Sequence, residues 1–332
     1  MKLMMHGISR FQFPSAILSI FVCLFSSASG TATYHFQDPA ERNVIYGMYQ
    51  GTALLMDVYR PEKPNGFALI FIMGTGFTAA GEYDDIPLKE YDRWLVEKGG
   101  YPPIFGGTGH FFGPALDAGF VVFSINHRLA PVFTWKTQVR DCQRAVQFVR
   151  YNAKKYGINP AAIGGMGHSS GATMTTFLAV MDDVADPAAF DPVNRESSRI
   201  QAAVAASGIH DLLEFIREQP NKAALAAGLV GRIILAQPPD HPVFAAYRDA
   251  STISHVTKDA APMLIFHGDA DPLVDYHQSL ALDRVLDSAG VKHELVILPG
   301  AIHAQLLQPM KPTPGERAAI WLIAELQKQA GR

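Results

Sequence analysis

Residues Gly167-His168-Ser169-Ser170-Gly171 read G-x-S-x-G, preceded by a short apolar run, Ile163 to Met166, and followed by another, Ala172 to Val180. A serine at a sharp strand-to-helix turn has its hydroxyl lifted above the sheet edge. Small residues two before and two after it let the flanking chain segments pass closely. Ser169 is therefore a candidate nucleophile. Such a serine needs a base to take its proton and an acid to orient that base. The sequence offers both after two later apolar runs. Pro262 to Phe266 leads into His267-Gly268-Asp269-Ala270-Asp271-Pro272-Leu273-Val274, and His293 to Leu298 leads into Pro299-Gly300-Ala301-Ile302-His303. His303, in a short loop directly after the last run, is the base candidate. Asp269, Asp271 and Asp275 share one loop, and position alone does not choose among them as the acid. His168, next to the nucleophile, points elsewhere and is assigned to packing. For His267, Asp269 and Asp275, loop hydrogen bonds and helix capping are the plain alternatives.

Acyl transfer places negative charge on the carbonyl oxygen, and backbone N–H groups must already face it. One donor is the residue after the nucleophile, Ser170. The second belongs to the loop after the third strand, here Met73-Gly74-Thr75-Gly76-Phe77, with Thr75 and Gly76 as the candidates.

These residues must be presented by a common sheet. The runs Asn43 to Gln50 and Ala53 to Tyr59, split by Gly51-Thr52, predict a β-hairpin. Phe67–Met73, Phe120–Ile125, Ile163–Met166, Ile200–Ala206, Pro262–Phe266 and His293–Leu298 are unbroken apolar runs, as suits strands buried on both faces of a parallel sheet. Between them, Val139, Cys142, Ala145, Val146 and Val149 recur at helical spacing, with Arg140, Gln143, Gln147 and Arg150 on the other side. Leu280–Ala289 and Ala318–Gln329 are similar. This alternation predicts one α/β domain over residues 31–332, with a mostly parallel sheet, an opening hairpin and helices on both faces. Two stretches, about 81–118 and 182–254, exceed the loops such a fold needs and read as cap-like insertions able to build a substrate pocket. The first carries Tyr91, Trp94, Tyr101, Phe105, Phe111 and Phe112, which either line that pocket or only pack the inserted chain.

Composition narrows the function classes. Of 332 residues, 48% are hydrophobic and 18% charged, an ordinary globular balance. Residues 1–30 read as a signal peptide: Lys2 and Arg10 at the start, an apolar run from Phe13 to Phe25, then Ser26-Ser27-Ala28-Ser29-Gly30. That run is shorter than the roughly 20 residues needed to span a bilayer. The expectation is export, to periplasm or medium, without a stable membrane anchor. Cleavage would take two cations and no acid, lowering the formal net charge from −3 to −5. A mildly acidic chain with no basic stripe is a poor nucleic-acid binder. It would leave Cys142 as the single cysteine, hence no internal disulfide. No H-e-x-x-H-like spacing implies a metal, and no cofactor is expected.

Taken together, Leu55-Met56-Asp57-Val58-Tyr59-Arg60-Pro61, Asn126-His127-Arg128-Leu129-Ala130-Pro131, Asp141, Gly167-His168-Ser169-Ser170-Gly171 and His267-Gly268-Asp269-Ala270-Asp271 fall in an order that resembles one family. It is the bacterial esterase/lipase branch of the α/β-hydrolases related to hormone-sensitive lipase, with its feruloyl- and acetyl-esterase-like members. The resemblance covers nearly the whole chain after residue 30. It implies a serine carboxylester hydrolase acting on a small ester through an acyl-enzyme, with Asp271 as the acid and His303 as the base. It leaves Arg128 and Asp141 as a structural ion pair. A serine peptidase or amidase on the same fold, and a catalytically silent binding protein, are the alternatives. The chain departs from the family at Met73-Gly74-Thr75-Gly76-Phe77, where His-Gly-Gly-Gly-Trp is usual. A histidine that braces the loop is missing, and a β-branched residue stands at the middle glycine.

Overall fold

The computed structural model describes residues 38–78, 112–235, 237–238, 240–303 and 311–330. The expected signal peptide lies outside them, as do Tyr91, Trp94, Tyr101, Phe105 and Phe111. Eight strands form one sheet: β1 (Glu41–Tyr49), β2 (Thr52–Tyr59), β3 (Ala68–Ile72), β4 (Val121–Ile125), β5 (Ile163–His168), β6 (Ala202–Ala206), β7 (Met263–Gly268) and β8 (His293–Leu298), in the order β1-β2-β4-β3-β5-β6-β7-β8. The pairs β1/β2 and β2/β4 are antiparallel and all others parallel. The mostly parallel α/β sheet with an opening hairpin is as expected. The hairpin turn itself falls one residue earlier, at Gln50-Gly51. Both residues have positive φ (48° and 84°), as a two-residue hairpin turn requires, while β-branched Thr52 pairs with Tyr49 as strand.

The chain leaves β3 to one side for β4, then crosses to the other side for β5. The sheet order therefore reverses at β3, and the crevice beyond the carboxyl ends of β3 and β5 is where such a sheet binds ligands. In β3, Ala68, Ile70 and Ile72 join one core cluster, and Leu69 and Phe71 join the other, as the alternation of a strand dictates. Nine helices are described. The first cluster is covered by α2 (Trp135–Tyr151), α4 (Ser170–Val180) and α8 (His277–Ser288), the second by α1 (Gly113–Asp117) and α9 (Pro314–Ala330). The others are α3 (Ala153–Tyr156), α5 (Leu212–Glu218), α6 (Ala223–Val230) and α7 (Pro242–Asp249). None is long and apolar enough to cross a membrane.

Other details differ from the expectation or add to it. Phe112 is not a loop aromatic. It is buried in the second cluster, its ring centroid 4.9 Å from that of Tyr59 and 5.1 Å from that of Phe71. On the polar side of α2, Arg140 is exposed, while Gln143, Gln147 and Arg150 are buried. The Gln143 amide donates to Asp182 O (3.2 Å), the Gln147 amide to Asn194 O (3.2 Å) and Glu196 O (2.8 Å), and Arg150 to Pro160 O (2.9 Å) and Arg199 O (2.7 Å). These side chains satisfy an otherwise carbonyl-lined segment, so the start of the expected 182–254 insertion clamps α2. Burial pushes the Arg150 guanidinium down to about 10. Of the later part, α6 brings Leu225 Cδ1 to 3.5 Å from where a Cβ on Gly76 would lie, in the loop after β3. Helix α9 begins at Pro314, four residues before the predicted start. Thr313 and Glu316 exchange hydrogen bonds there as a capping box (Thr313 N to Glu316 Oε2 2.7 Å, Glu316 N to Thr313 Oγ1 3.3 Å).

Cys142 is fully buried on the inner side of α2, with its thiol pushed well up by burial and by the neighbouring Asp141. Arg128 and Asp141 form a buried bidentate pair (Nη2–Oδ1 2.6 Å, Nε–Oδ2 2.9 Å), with the guanidinium 3.9 Å from the Tyr49 ring centroid and 5.0 Å from that of Phe133.

Candidate active site

Ser169 sits between β5 and α4 with φ 53° and ψ −128°, a conformation that a non-glycine residue holds only when its surroundings impose it. The surroundings are close backbone crossings. A Cβ on Gly171 would lie 2.0 Å from Ile72 O, and one on Gly167 would lie 2.4 Å from Gly171 O. Ser169 N–H donates to Ala206 O (2.8 Å), tying the turn to β6. Every residue of α4 is buried, so the helix that follows Ser169 is fixed on all sides.

The loops after β7 and β8 are stitched to each other. Ala270 N–H donates to Ala301 O (3.1 Å), Asp269 N–H to Leu298 O (3.3 Å), and Asp269 Oδ1 accepts Gly300 N–H (2.6 Å). Across this seam His303 faces two partners. Its Nδ1 is 2.7 Å from Asp271 Oδ2 and its Nε2 is 2.9 Å from Ser169 Oγ. A carboxylate only accepts, so Nδ1 carries the proton and Nε2 presents its lone pair to the serine hydroxyl. Of the three acid candidates the structure brings only Asp271 to His303. Asp269 holds the base loop through Gly300, and Asp275 Oδ1 accepts His277 N–H (2.9 Å) at the start of α8.

Asp271 is anchored from every direction. Its Oδ1 accepts the N–H groups of Leu273 (2.8 Å) and Val274 (3.0 Å). Its Oδ2 lies 3.3 Å from Nε2 of His267, whose ring is itself held by Val274 O (2.9 Å) and Ser279 Oγ (2.7 Å). Burial works to raise this carboxyl, but the hydrogen bonds from His267 and His303 outweigh it and hold it well below the usual carboxylate range. His267 thus does more than the loop bonding the sequence suggested. The signal for it was its place four residues before Asp271 on one strand end. Behind it lies a second buried imidazole, His210, with Nδ1 3.0 Å from Thr252 Oγ1 and its backbone N–H on Gln278 Oε1 (2.9 Å). Burial, and then the nearness of His267, push His210 down to about 3.

On the oxyanion side, Gly74 packs against the elbow so tightly that a Cβ there would meet His168 O at 2.4 Å and Ser169 Cβ at 2.7 Å. The Thr75 N–H, a donor candidate from sequence, is engaged: it donates to Ser170 Oγ (2.9 Å). Gly76 N–H makes no hydrogen bond among the described residues, and Ser170 N–H, at the first position of α4, has no partner within its helix. His168 is buried beside Gly74, as packing predicted. Helix α6 sits over this loop, with Leu225 Cδ1 3.5 Å from where a Gly76 Cβ would be. Among the described residues, Glu218, Asp275 and His277 are the group whose ligand atoms could meet a cation together. They lie on the outer side of the acid loop, and Asp275 Oδ1 is already 2.6 Å from His277 Nδ1.

A strained serine on the β5–α4 turn, with a carboxylate from the loop after β7 and a histidine from the loop after β8 at the same sheet edge, defines the α/β-hydrolase class of site. A family model described as BD-FAE matches residues 108–286, more than half of the chain, and the chain belongs to that family. It is 32% identical over 164 residues to the probable carboxylic ester hydrolase LipM of Mycobacterium tuberculosis, covering 49% of this chain and 36% of LipM. It is 30% identical over 190 residues to the esterase LipQ of the same organism, covering 57% of this chain and 44% of LipQ. The chain thus matches less than half the length of either relative. Among solved structures, a truncated form of a carbohydrate esterase from gut microbiota superposes with a TM-score of 0.67 at 25% identity, covering 88% of this chain and 100% of that one.

Proposed function

We propose that the protein is a serine carboxylester hydrolase with Ser169 as nucleophile, His303 as general base and acid, and Asp271 as the group that orients His303. The observation that carries this reading is His303 bridging Ser169 Oγ at 2.9 Å and Asp271 Oδ2 at 2.7 Å. Ser169 Oγ attacks the ester carbonyl while His303 Nε2 takes its proton, and Asp271 stabilises the imidazolium that forms. The N–H groups of Gly76 and Ser170 face the developing oxyanion. The C–O bond to the alcohol breaks as His303 returns the proton to that oxygen. Water then attacks the acyl-Ser169 carbonyl as His303 takes its proton, the bond from the acyl carbon to Ser169 Oγ breaks as His303 returns that proton to Oγ, and the carboxylic acid leaves. The names of LipM and LipQ support the ester class, and that of the carbohydrate esterase supports testing acylated sugars.

The test is a panel of p-nitrophenyl esters of rising acyl length, with feruloyl and acetylated-sugar esters and a p-nitroanilide beside them, on wild type and Ser169→Ala. Wild type should hydrolyse esters and react with a fluorophosphonate probe. Ser169→Ala should do neither, with a loss on the order of 10⁶-fold in kcat. Ester turnover that survives in Ser169→Ala overturns the nucleophile, and turnover of the anilide alone overturns the ester class. The proposal includes export, on the composition of residues 1–30. Amino-terminal sequencing of exported protein should begin near Thr31 or Thr33, and an intact Met1 overturns it.

A further inference from the structure

The oxyanion loop lacks its family's bracing histidine, yet it is held in a demanding conformation. Gly76 and Phe77 both have positive φ (67° and 65°), and Phe77 is fully buried. A non-glycine residue in this region costs of order 1 kcal/mol or more and persists only under external constraint. At its far end the loop is pinned by Ala130 N–H donating to Phe77 O (2.8 Å) and by the Thr78–Ala130 bridge. At its near end Gly74 abuts the elbow. Between these pins the loop is hydrogen-bonded to the elbow by Thr75 N–H donating to Ser170 Oγ. Ser170 is 1% exposed, so water has little access to compete for that bond.

We infer that the Ser170 hydroxyl is a positioning group for the oxyanion loop. It accepts the Thr75 N–H, fixes the loop between Gly74 and Phe77, and leaves the backbone N–H groups of Gly76 and Ser170 as the two donors. The inference rests on Ser169 being the nucleophile. Ser170 then has two roles from one residue: its backbone donates to the oxyanion, and its side chain sets the second donor in place. The opposite account has Thr75 N–H as an oxyanion donor that rests on Ser170 Oγ until substrate arrives. The two differ in the sign of one mutation. If the hydroxyl is a brace, removing it loosens the loop and slows the chemical step. If it is a resting place, removing it frees a donor and leaves kcat equal or higher.

The experiment is Ser170→Ala in the full chain, read by steady-state hydrolysis of p-nitrophenyl acetate, by inhibition with phenylboronic acid, and by Tm. Phenylboronic acid forms a tetrahedral adduct on the serine hydroxyl and so reports the oxyanion geometry. The expected result is a kcat lowered about 10-fold, part of the 10²–10³ that one donor is worth. KM should stay within about twofold, boronate inhibition should weaken by a factor similar to the kcat loss, and Tm should hold within a few degrees. A kcat at or above wild type overturns the brace, as does a loss confined to KM or to Tm. Ser169→Ala run alongside separates the two layers: a dead Ser169→Ala with an unimpaired Ser170→Ala sinks the brace alone, while an active Ser169→Ala sinks the nucleophile beneath it.

Discussion

On one side of His303 the chain is held by close backbone crossings, on the other by converging hydrogen bonds. Ser169 is placed by close crossings at Gly167, Gly171 and Gly74 and by a strained φ, with every residue of α4 buried behind it. Asp271 is placed by hydrogen bonds from two amides and two histidines, behind which lies a second layer containing Ser279, His210 and Gln278. The difference follows from chemistry. A hydroxyl nucleophile must be uncrowded on its reactive face, which leaves only the backbone to hold it. A carboxylate must be charged and still, which buried donors achieve and steric contact does not. The Ser169 side should therefore fail when atoms are added, and the Asp271 side when polar atoms are taken away or recharged.

The largest test of the contrast is on the Asp271 side. Asp271→Asn keeps an acceptor for Leu273 and Val274 but loses the charge facing His303, and kcat should fall on the order of 10⁴-fold. Asp269→Asn and Asp275→Asn keep the oxygens that receive Gly300 and His277 N–H, and should lose less than about fivefold. Equal losses at all three would show that the loop acts only as scaffold. Next comes an added atom on the Ser169 side. Gly171→Ala puts a Cβ 2.0 Å from Ile72 O, a clash with backbone that cannot relax locally. Thermal unfolding should show a loss of about 3 kcal/mol or more, and a Tm within a degree of wild type would refute the steric account.

A smaller effect tests the buried polar layer by pH. His210 sits at about 3 in the folded protein against roughly 6.5 unfolded. The folded state therefore binds fewer protons than the unfolded state between these values. Stability from the neutral ring is fully present above about 6.5 and is lost as pH falls toward 3, by on the order of 1 kcal/mol per pH unit. Tm should drop between pH 7 and pH 5, and His210→Gln should flatten that drop. An unchanged slope would assign acid sensitivity elsewhere. The smallest effect is at Thr75, whose Oγ1 is buried and has no hydrogen-bond partner among the described residues. If backbone alone matters on this side, Thr75→Ala should cost less than about threefold in kcat. A tenfold loss would mean that the hydroxyl meets the oxyanion.

The same division decides what could be read from the sequence. Backbone-held features leave local marks: G-x-S-x-G announced the elbow, and the apolar runs announced the strands to within a residue or two. The capping box at Thr313 and Glu316 was equally local, and reading it would have started α9 at the right place. Side-chain partners leave no such mark. Asp269, Asp271 and Asp275 are equivalent by position, and the family resemblance, not the spacing, singled out Asp271. The contact between Thr75 and Ser170 spans 95 residues, and the helical spacing of Gln143, Gln147 and Arg150 carries no sign of the carbonyls they satisfy, which lie some 40–50 residues further on.

The lone thiol of the described chain gives the core a clock. Cys142 is shut in beneath the sheet at the centre of α2, with its ionisation suppressed, so an alkylating reagent in solution meets it only in molecules whose interior has come apart. In protein lacking residues 1–30, and so Cys23, the rate at which native protein consumes such a reagent then counts openings directly. It does so without a chromophore, a substrate or a mutation, and under the very conditions in which turnover is measured.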